Sequence, residues 1–203
     1  MTLQDHTAHD EWLYPYKPLD TLRKQIRVLQ VKPRLSDALV ECSVRHISLL
    51  EEPVSKYEAV SYVWSLVTGN ACIVLDGKMV SVPAAAEDVL SNFQLPDKER
   101  VLWIDAICTN QRDLDERGHQ VALMGEVYSK TARTLVWLGK ADEWTLKAFK
   151  SLDIIYQQVL EEMDDSSKLR KVLYGSTNIF QYSTASLPEG LDFTAVRAIF
   201  CRR

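Results

Sequence analysis

Three stretches of the chain are apolar almost without interruption: Ala59-Val60-Ser61-Tyr62-Val63-Trp64, Val101-Leu102-Trp103-Ile104 and Thr134-Leu135-Val136-Trp137-Leu138. Short runs of this kind, rich in β-branched and aromatic residues, predict strands buried on both faces. Two earlier segments, Ile26 to Val31 and Leu39 to Val44, alternate polar and apolar positions in part. That pattern predicts half-buried antiparallel strands forming a flanking ribbon. Between the first two apolar runs, Cys72-Ile73-Val74-Leu75 and Lys78-Met79-Val80 are joined by Asp76-Gly77. Such a pair supplies the positive φ of a two-residue hairpin turn.

Elsewhere the apolar positions recur at helical spacing. After Pro83, which suits a first helical turn, Ala86, Val89, Leu90 and Phe93 form one stripe. A second helix follows Asp113, with Val121, Met124 and Tyr128 expected on its inner face and Asp113 and Glu116 spaced as a capping box. From Glu143, Phe149, Leu152, Tyr156, Val159 and Met163 predict a third helix that fades at Asp164-Asp165-Ser166-Ser167, and 175–190 reads as a loop. Residues 1–20 are expected to be a loose leader, extended at Tyr14-Pro15-Tyr16-Lys17-Pro18. Residues 21–203 then form one domain. Strands alternating with helices predict an α/β fold, a parallel sheet flanked by helices with an additional antiparallel ribbon and hairpin. Ligands of such sheets sit at the carboxyl ends of the strands, here just after Trp64, Ile104 and Leu138.

Composition narrows the function classes. With 203 residues, 46% hydrophobic and 26% charged, the chain is long enough for a sizeable core. A net charge of −4 gives no basic field for nucleic acid or an anionic membrane. The polar, acidic Met1 to Asp10 has no signal-peptide pattern, and no run is long enough to span a bilayer, so a cytoplasmic protein is expected. Cys42, Cys72, Cys108 and Cys201 are scattered, without CxxC or His spacing, so neither a metal site nor a disulfide framework is indicated.

Three blocks then carry a resemblance: Tyr57-Glu58-Ala59-Val60-Ser61-Tyr62-Val63-Trp64, Leu102-Trp103-Ile104-Asp105-Ala106-Ile107-Cys108-Thr109-Asn110-Gln111 and Val136-Trp137-Leu138-Gly139, with Glu116, Arg117, Gln120, Met124, Tyr128 and Ala132 between the last two. In order and spacing over 57–139 they resemble the fungal heterokaryon incompatibility (HET) domain. The resemblance implies an allorecognition effector of programmed cell death that works by self-association or with other death-signalling proteins. HET domains are in turn distantly similar to TIR domains, which implies a TIR- or flavodoxin-like sheet and NAD as a substrate. Four departures stand out: Ser65 where the family has Gly, Pro83-Ala84-Ala85-Ala86 where its first helix starts with a polar residue and Asn, Thr109 where it has Ile, and an end at Arg202-Arg203 before the family's usual Arg-x-Trp-x-x-Gln-Glu segment. The last implies a C-terminally truncated domain lacking the catalytic Glu of the TIR comparison. A non-enzymatic signalling module and an inactive remnant are the alternatives.

Ligand-binding candidates are Ser61, Trp64, Asp105, Asn110, Gln111, Arg117 and Gln120. Ser61 lies in a strand expected to be buried, and Trp64 at its end can stack on a base or join the core. Asp105 ends an apolar strand, where it can meet ribose hydroxyls or tie down the following loop; Asn110 and Gln111 pose the same choice between ligand and turn. Arg117 is a candidate phosphate clamp. Glu116 is the one weak catalytic candidate, as a buried acid or base with a raised pKa, sharing its helix face with Gln120, Leu123 and Val127. Cys108 is better read as a small buried thiol than as a nucleophile paired with His119.

Overall fold

The structure is a computed structural model and describes residues 14–34, 38–54, 56–64, 69–163 and 190–200, side chains of 158–163 excepted. Ser65, the fading segment after Met163, almost all of the 175–190 loop, Cys201 and the chain end fall outside the described residues. The chain divides into two compact units, Met1–Trp137 and Leu138–Arg203.

The first unit is built on a seven-stranded mixed sheet. Its strands are β1 (Gln25–Val31), β2 (Glu41–Ser48), β3 (Glu58–Tyr62), β4 (Asn70–Leu75), β5 (Lys78–Pro83), β6 (Arg100–Trp103) and β7 (Arg133–Trp137), in the order β5-β4-β2-β1-β6-β3-β7. The helices are α1 (Ala84–Phe93), the single turn α2 (Asp105–Cys108) and α3 (Leu114–Lys130). The α/β class is as the apolar pattern predicts. The three nearly continuous apolar runs form the parallel group β6-β3-β7, with Glu58 to Tyr62 of β3 beside Arg133 to Trp137 of β7.

The ribbon does not flank the sheet. β1 pairs antiparallel with β2 on one side and with β6 on the other, which makes it the middle strand. Ile26, Arg27, Val28 and Leu29 are therefore all buried, where alternation predicted one wet face. β4 extends the same sheet by pairing parallel to β2, and the β4-β5 hairpin turns at Asp76 (φ 50°) and Gly77 (φ 74°). Both central residues having positive φ is the requirement for a two-residue turn that follows strand twist. The opposite error concerns β7. Expected to be covered on both faces, it is the last strand in the order and leaves Val136 exposed.

α1 buries Ala86, Val89 and Leu90 as the stripe predicts, with Phe93 packing edge-on to Trp137 at 5.8 Å. On α3 the buried line is Gln120, Leu123 and Val127; Met124 and Tyr128 flank it, and Val121 is exposed. The helix is thus rotated from the expected face, because a polar residue, Gln120, holds an inward position. Its amino end is capped by Asp113, whose Oδ1 accepts from the N–H groups of Asp115 (3.1 Å) and Glu116 (3.0 Å). The reciprocal half of a capping box is missing, since Glu116 turns to other partners. Its carboxyl end is tied to β3: the Tyr57 hydroxyl donates to Val127 O (2.6 Å) and the Thr131 hydroxyl to Tyr57 O (3.0 Å).

The amino ends of the parallel strands are tied together by charge. Glu58 on β3 accepts from Arg100 on β6 and Arg133 on β7. Tyr14 and Tyr16, stacked edge-on at 4.9 Å, are pinned to the body as their hydroxyls donate to Asp76 (2.6 Å) and to Ile107 O (2.8 Å).

The second unit pairs α4 (Thr145–Met163) with α5 (Phe193–Phe200) around Ala148, Ala195 and Ile199. Phe149 and Tyr156, expected on the inner stripe, are exposed. Small residues, Ala148 and Ser151, take the inward positions instead, and a periodicity weighted by bulk overlooks them. The Ser151 hydroxyl accepts from Asp192 N (2.8 Å), and Asp192 caps α5 by accepting from Ala195 N (2.9 Å).

Candidate functional site

A cavity of about 210 Å³ opens where β3 and β6 end. Two parallel neighbours finish there side by side, so the residues just past them converge. Trp64 follows β3, and Asp105 follows β6 at the start of α2. The Trp64 indole N–H donates to Asp105 Oδ2 (3.2 Å), while Asp105 Oδ1 accepts the N–H of Ala106 (2.8 Å). One oxygen of Asp105 thus ties down the following backbone, as one of its two expected roles requires, and the other accepts from a side chain. Burial pushes its carboxyl above the ordinary value; the hydrogen bonds from Ala106 and Trp64 oppose that without cancelling it.

The wall is completed from α3 and the loop before it. Gln111, Arg117 and Gln120 line the cavity, as do Thr109, Val121 and Met124, with Trp103. Gln111 is fixed by donating to Asp105 O (3.0 Å), and Gln120, 2% exposed, donates to Gln25 O (3.1 Å). Of the seven ligand-binding candidates, Trp64, Asp105, Gln111, Arg117 and Gln120 come together here. Trp64 is half exposed and stands at the rim rather than in the core.

The others lie elsewhere. Ser61, expected in a sealed strand, is exposed. Asn110 faces a larger cleft of about 660 Å³ on the side of Tyr14, Tyr16 and the β4-β5 hairpin, and its side chain closes a turn by accepting from Arg112 N (3.3 Å). Glu116 points away into an ion pair. Both its oxygens engage Arg27, at 2.6 Å and 2.9 Å, and Oε1 also accepts from Asn110 N (2.7 Å). Burial pulls its pKa up, but the hydrogen bonds and charge of Arg27 and the Asn110 N–H outweigh that, and the net shift is downward. This is opposite to the direction expected for a buried acid or base, because its charged form has a dedicated partner.

Arg27 is the residue that sequence reasoning missed. It is 1% exposed, lies 4.7 Å from the Tyr16 ring centroid, and donates to Cys108 O (3.1 Å) and Lys17 O (2.6 Å) as well as to Glu116. The one available signal was a cation inside the Ile26-Arg27-Val28-Leu29 run, which reads as an outward position if β1 is an outer strand. Trp103 was also passed over, being taken as core; it is fully buried and packs edge-on to Tyr128 at 5.7 Å, yet it borders the cavity as well. Cys108 is a buried thiol pushed up to about 12 by desolvation, with Ile104 N as its hydrogen-bond neighbour (3.4 Å). That is an inert environment, the reverse of what a nucleophile needs.

Comparison with known proteins addresses the chain as a whole. The family model described as heterokaryon incompatibility protein (HET) matches residues 57–188, well over half of the chain. The chain belongs to the HET family. The match begins at the buried Tyr57 and takes in β7 as well as β3, β6, α2 and α3, the elements around the cavity. This HET domain is also 30% identical over 129 residues to "Heterokaryon incompatibility protein 6, OR allele" of Neurospora crassa, an alignment covering 57% of the chain and 19% of that relative. The chain therefore spans about a fifth of the length of that curated protein. No solved structure matches it. Among the described residues no helix is long and apolar enough to cross a membrane.

Proposed function

We propose that this HET domain serves fungal allorecognition, acting in the cytoplasm to commit incompatible fused cells to death, and that the cavity at the ends of β3 and β6 is its working site. The observation that carries the reading is that the family's matched region contains the elements that form this cavity. The similarity to a heterokaryon incompatibility protein supports the biological setting.

The finer reading is nucleotide chemistry of the TIR kind, with NAD as substrate. It is supported by the character of the wall: an aromatic ring at the rim, a carboxylate and two amides inside, and a guanidinium at the side. In this reading Asp105 is the carboxylate that meets substrate, because Glu116 is committed to Arg27. A second reading has its own support. Asp105 is the sole carboxylate among the described lining residues, so an acid and base pair is not assembled in this wall. A pocket of that kind suits a non-enzymatic module whose ligand controls self-association or docking to other death-signalling proteins.

Expression in a fungal host with viability and cellular NAD followed together separates the two. Death with loss of NAD, abolished by Asp105→Asn, is the expected result for the enzymatic reading. Death at constant NAD establishes the signalling module, and survival at full expression of folded protein overturns both.

A further inference from the structure

The polar groups in the cavity wall specify what it binds. Two buried lining residues carry a polar group without a partner: the Trp103 indole N–H and the Gln120 side-chain oxygen make no hydrogen bond among the described residues. A buried polar group without a partner carries its full desolvation cost, so an occupant that pairs with it is favoured. The direction of each is settled. An indole only donates. Gln120 uses its NH₂ on Gln25 O, which leaves its oxygen as an acceptor. Asp105 adds a second acceptor at Oδ2, shared with Trp64. The wall therefore asks for at least two donors and one acceptor within a small volume.

Hydroxyl groups meet that demand, since each both donates and accepts. The Trp64 ring, 48% exposed at the rim, offers an apolar face to a sugar ring. Beside it stands Arg117 on the first turn of α3, exposed, lining the cavity and making no side-chain hydrogen bond or ion pair among the described residues. A free guanidinium beside a hydroxyl-binding wall matches a phosphate. Size narrows the class further. At about 210 Å³ the cavity is smaller than the roughly 300–1,000 Å³ of sites that enclose drug-sized ligands, so it accommodates one ring and not a dinucleotide.

We infer that this cavity is a sugar-phosphate site, taking a ring whose hydroxyls point inward to Asp105, Gln120 and Trp103 and whose phosphate is held at the mouth by Arg117. The inference rests on the reading that this cavity is the working site, and it defines which part of a nucleotide enters. A carboxamide supplies the same hydrogen bonds but no charge, and leaves Arg117 unpaired.

Calorimetric titration of the full chain at low salt with four probes, ribose 5-phosphate, ribose, inorganic phosphate and nicotinamide, tests this. Ribose 5-phosphate is expected to bind about ten-fold or more tighter than any other probe. Arg117→Gln, an exposed position whose change leaves the fold intact, is expected to reduce that affinity to the level of ribose, and Gln120→Met to weaken ribose and ribose 5-phosphate alike. Thermal melts verify that each variant is folded. Equal binding of phosphate alone, tighter binding of nicotinamide, indifference to Arg117→Gln, or no binding of ribose 5-phosphate at about 10 mM overturns the assignment. A chain that binds ribose 5-phosphate but neither kills nor consumes NAD keeps this site and removes the functional reading. A chain that kills and consumes NAD without binding the probe does the reverse.

Discussion

Asp105 and Glu116, eleven positions apart in the chain, are pushed in opposite directions by their surroundings. Glu116 is held charged by Arg27, so its contribution to stability is present above the ordinary carboxylate range and is lost as pH falls through its lowered folded pKa. Glu116→Gln leaves a guanidinium that is 1% exposed without its counter-charge. Loss of one partner of a buried pair is expected to cost about 3 kcal/mol, measurable by chemical denaturation, and an unchanged midpoint would show that the pair is not holding the loop. Asp105 behaves inversely. Burial raises its folded pKa, so the folded state prefers its protonated form, and that preference is fully present below the ordinary carboxylate pKa and lost as pH rises through the raised one. Asp105→Asn is therefore expected to raise the melting temperature at pH 7 by a few degrees, with the gain vanishing as pH is lowered into the acid range. In the enzymatic reading the same change is expected to abolish function, the trade that a buried functional carboxylate makes against stability.

At the level of elements, the hairpin and the helix ends make separable predictions. Gly77 has φ 74° and no atom within 4 Å of where a Cβ would lie, so Gly77→Ala meets no clash and exposes the backbone preference alone. A loss of about 1 kcal/mol in unfolding free energy is expected, and a neutral result would mean the turn relaxes to another type. Leu90, fully buried under α1, tests packing instead; Leu90→Ala is expected to cost about 2–5 kcal/mol by the same measurement. Elements were legible wherever one rule sufficed. The Asp76-Gly77 turn, the α1 stripe and the three parallel strands follow from local patterns. What escaped was set by neighbours distant in sequence. Strand β1 is central because β6, some seventy residues on, pairs with its free edge. Gln120 turns inward because Gln25 O lies there to receive it. Five of seven proposed ligand residues converge because strand tips concentrate chemistry in such sheets, whereas Ser61 and Asn110 diverge because side-chain direction depends on register and turn geometry.

For the molecule as a whole, the first unit has a complete sheet and a continuous core from Ile26 to Val127. The fragment 1–137 is expected to unfold in one cooperative transition, followed by circular dichroism; a fragment without a sigmoidal melt would show that its stability comes from elsewhere. The strand order has a temporal consequence. Strand β1 needs β6 for its second edge, and β3 needs β7, whose last residue is Trp137. An emerging chain can close its local hairpins early, but it holds an unmated middle strand until Trp103 appears and an unmated β3 edge until Trp137 follows. Loop closure over such separations makes folding slow relative to helical proteins of similar size. Until Trp137 is made, the nascent unit accordingly exposes strand edges of the kind that pair with other chains.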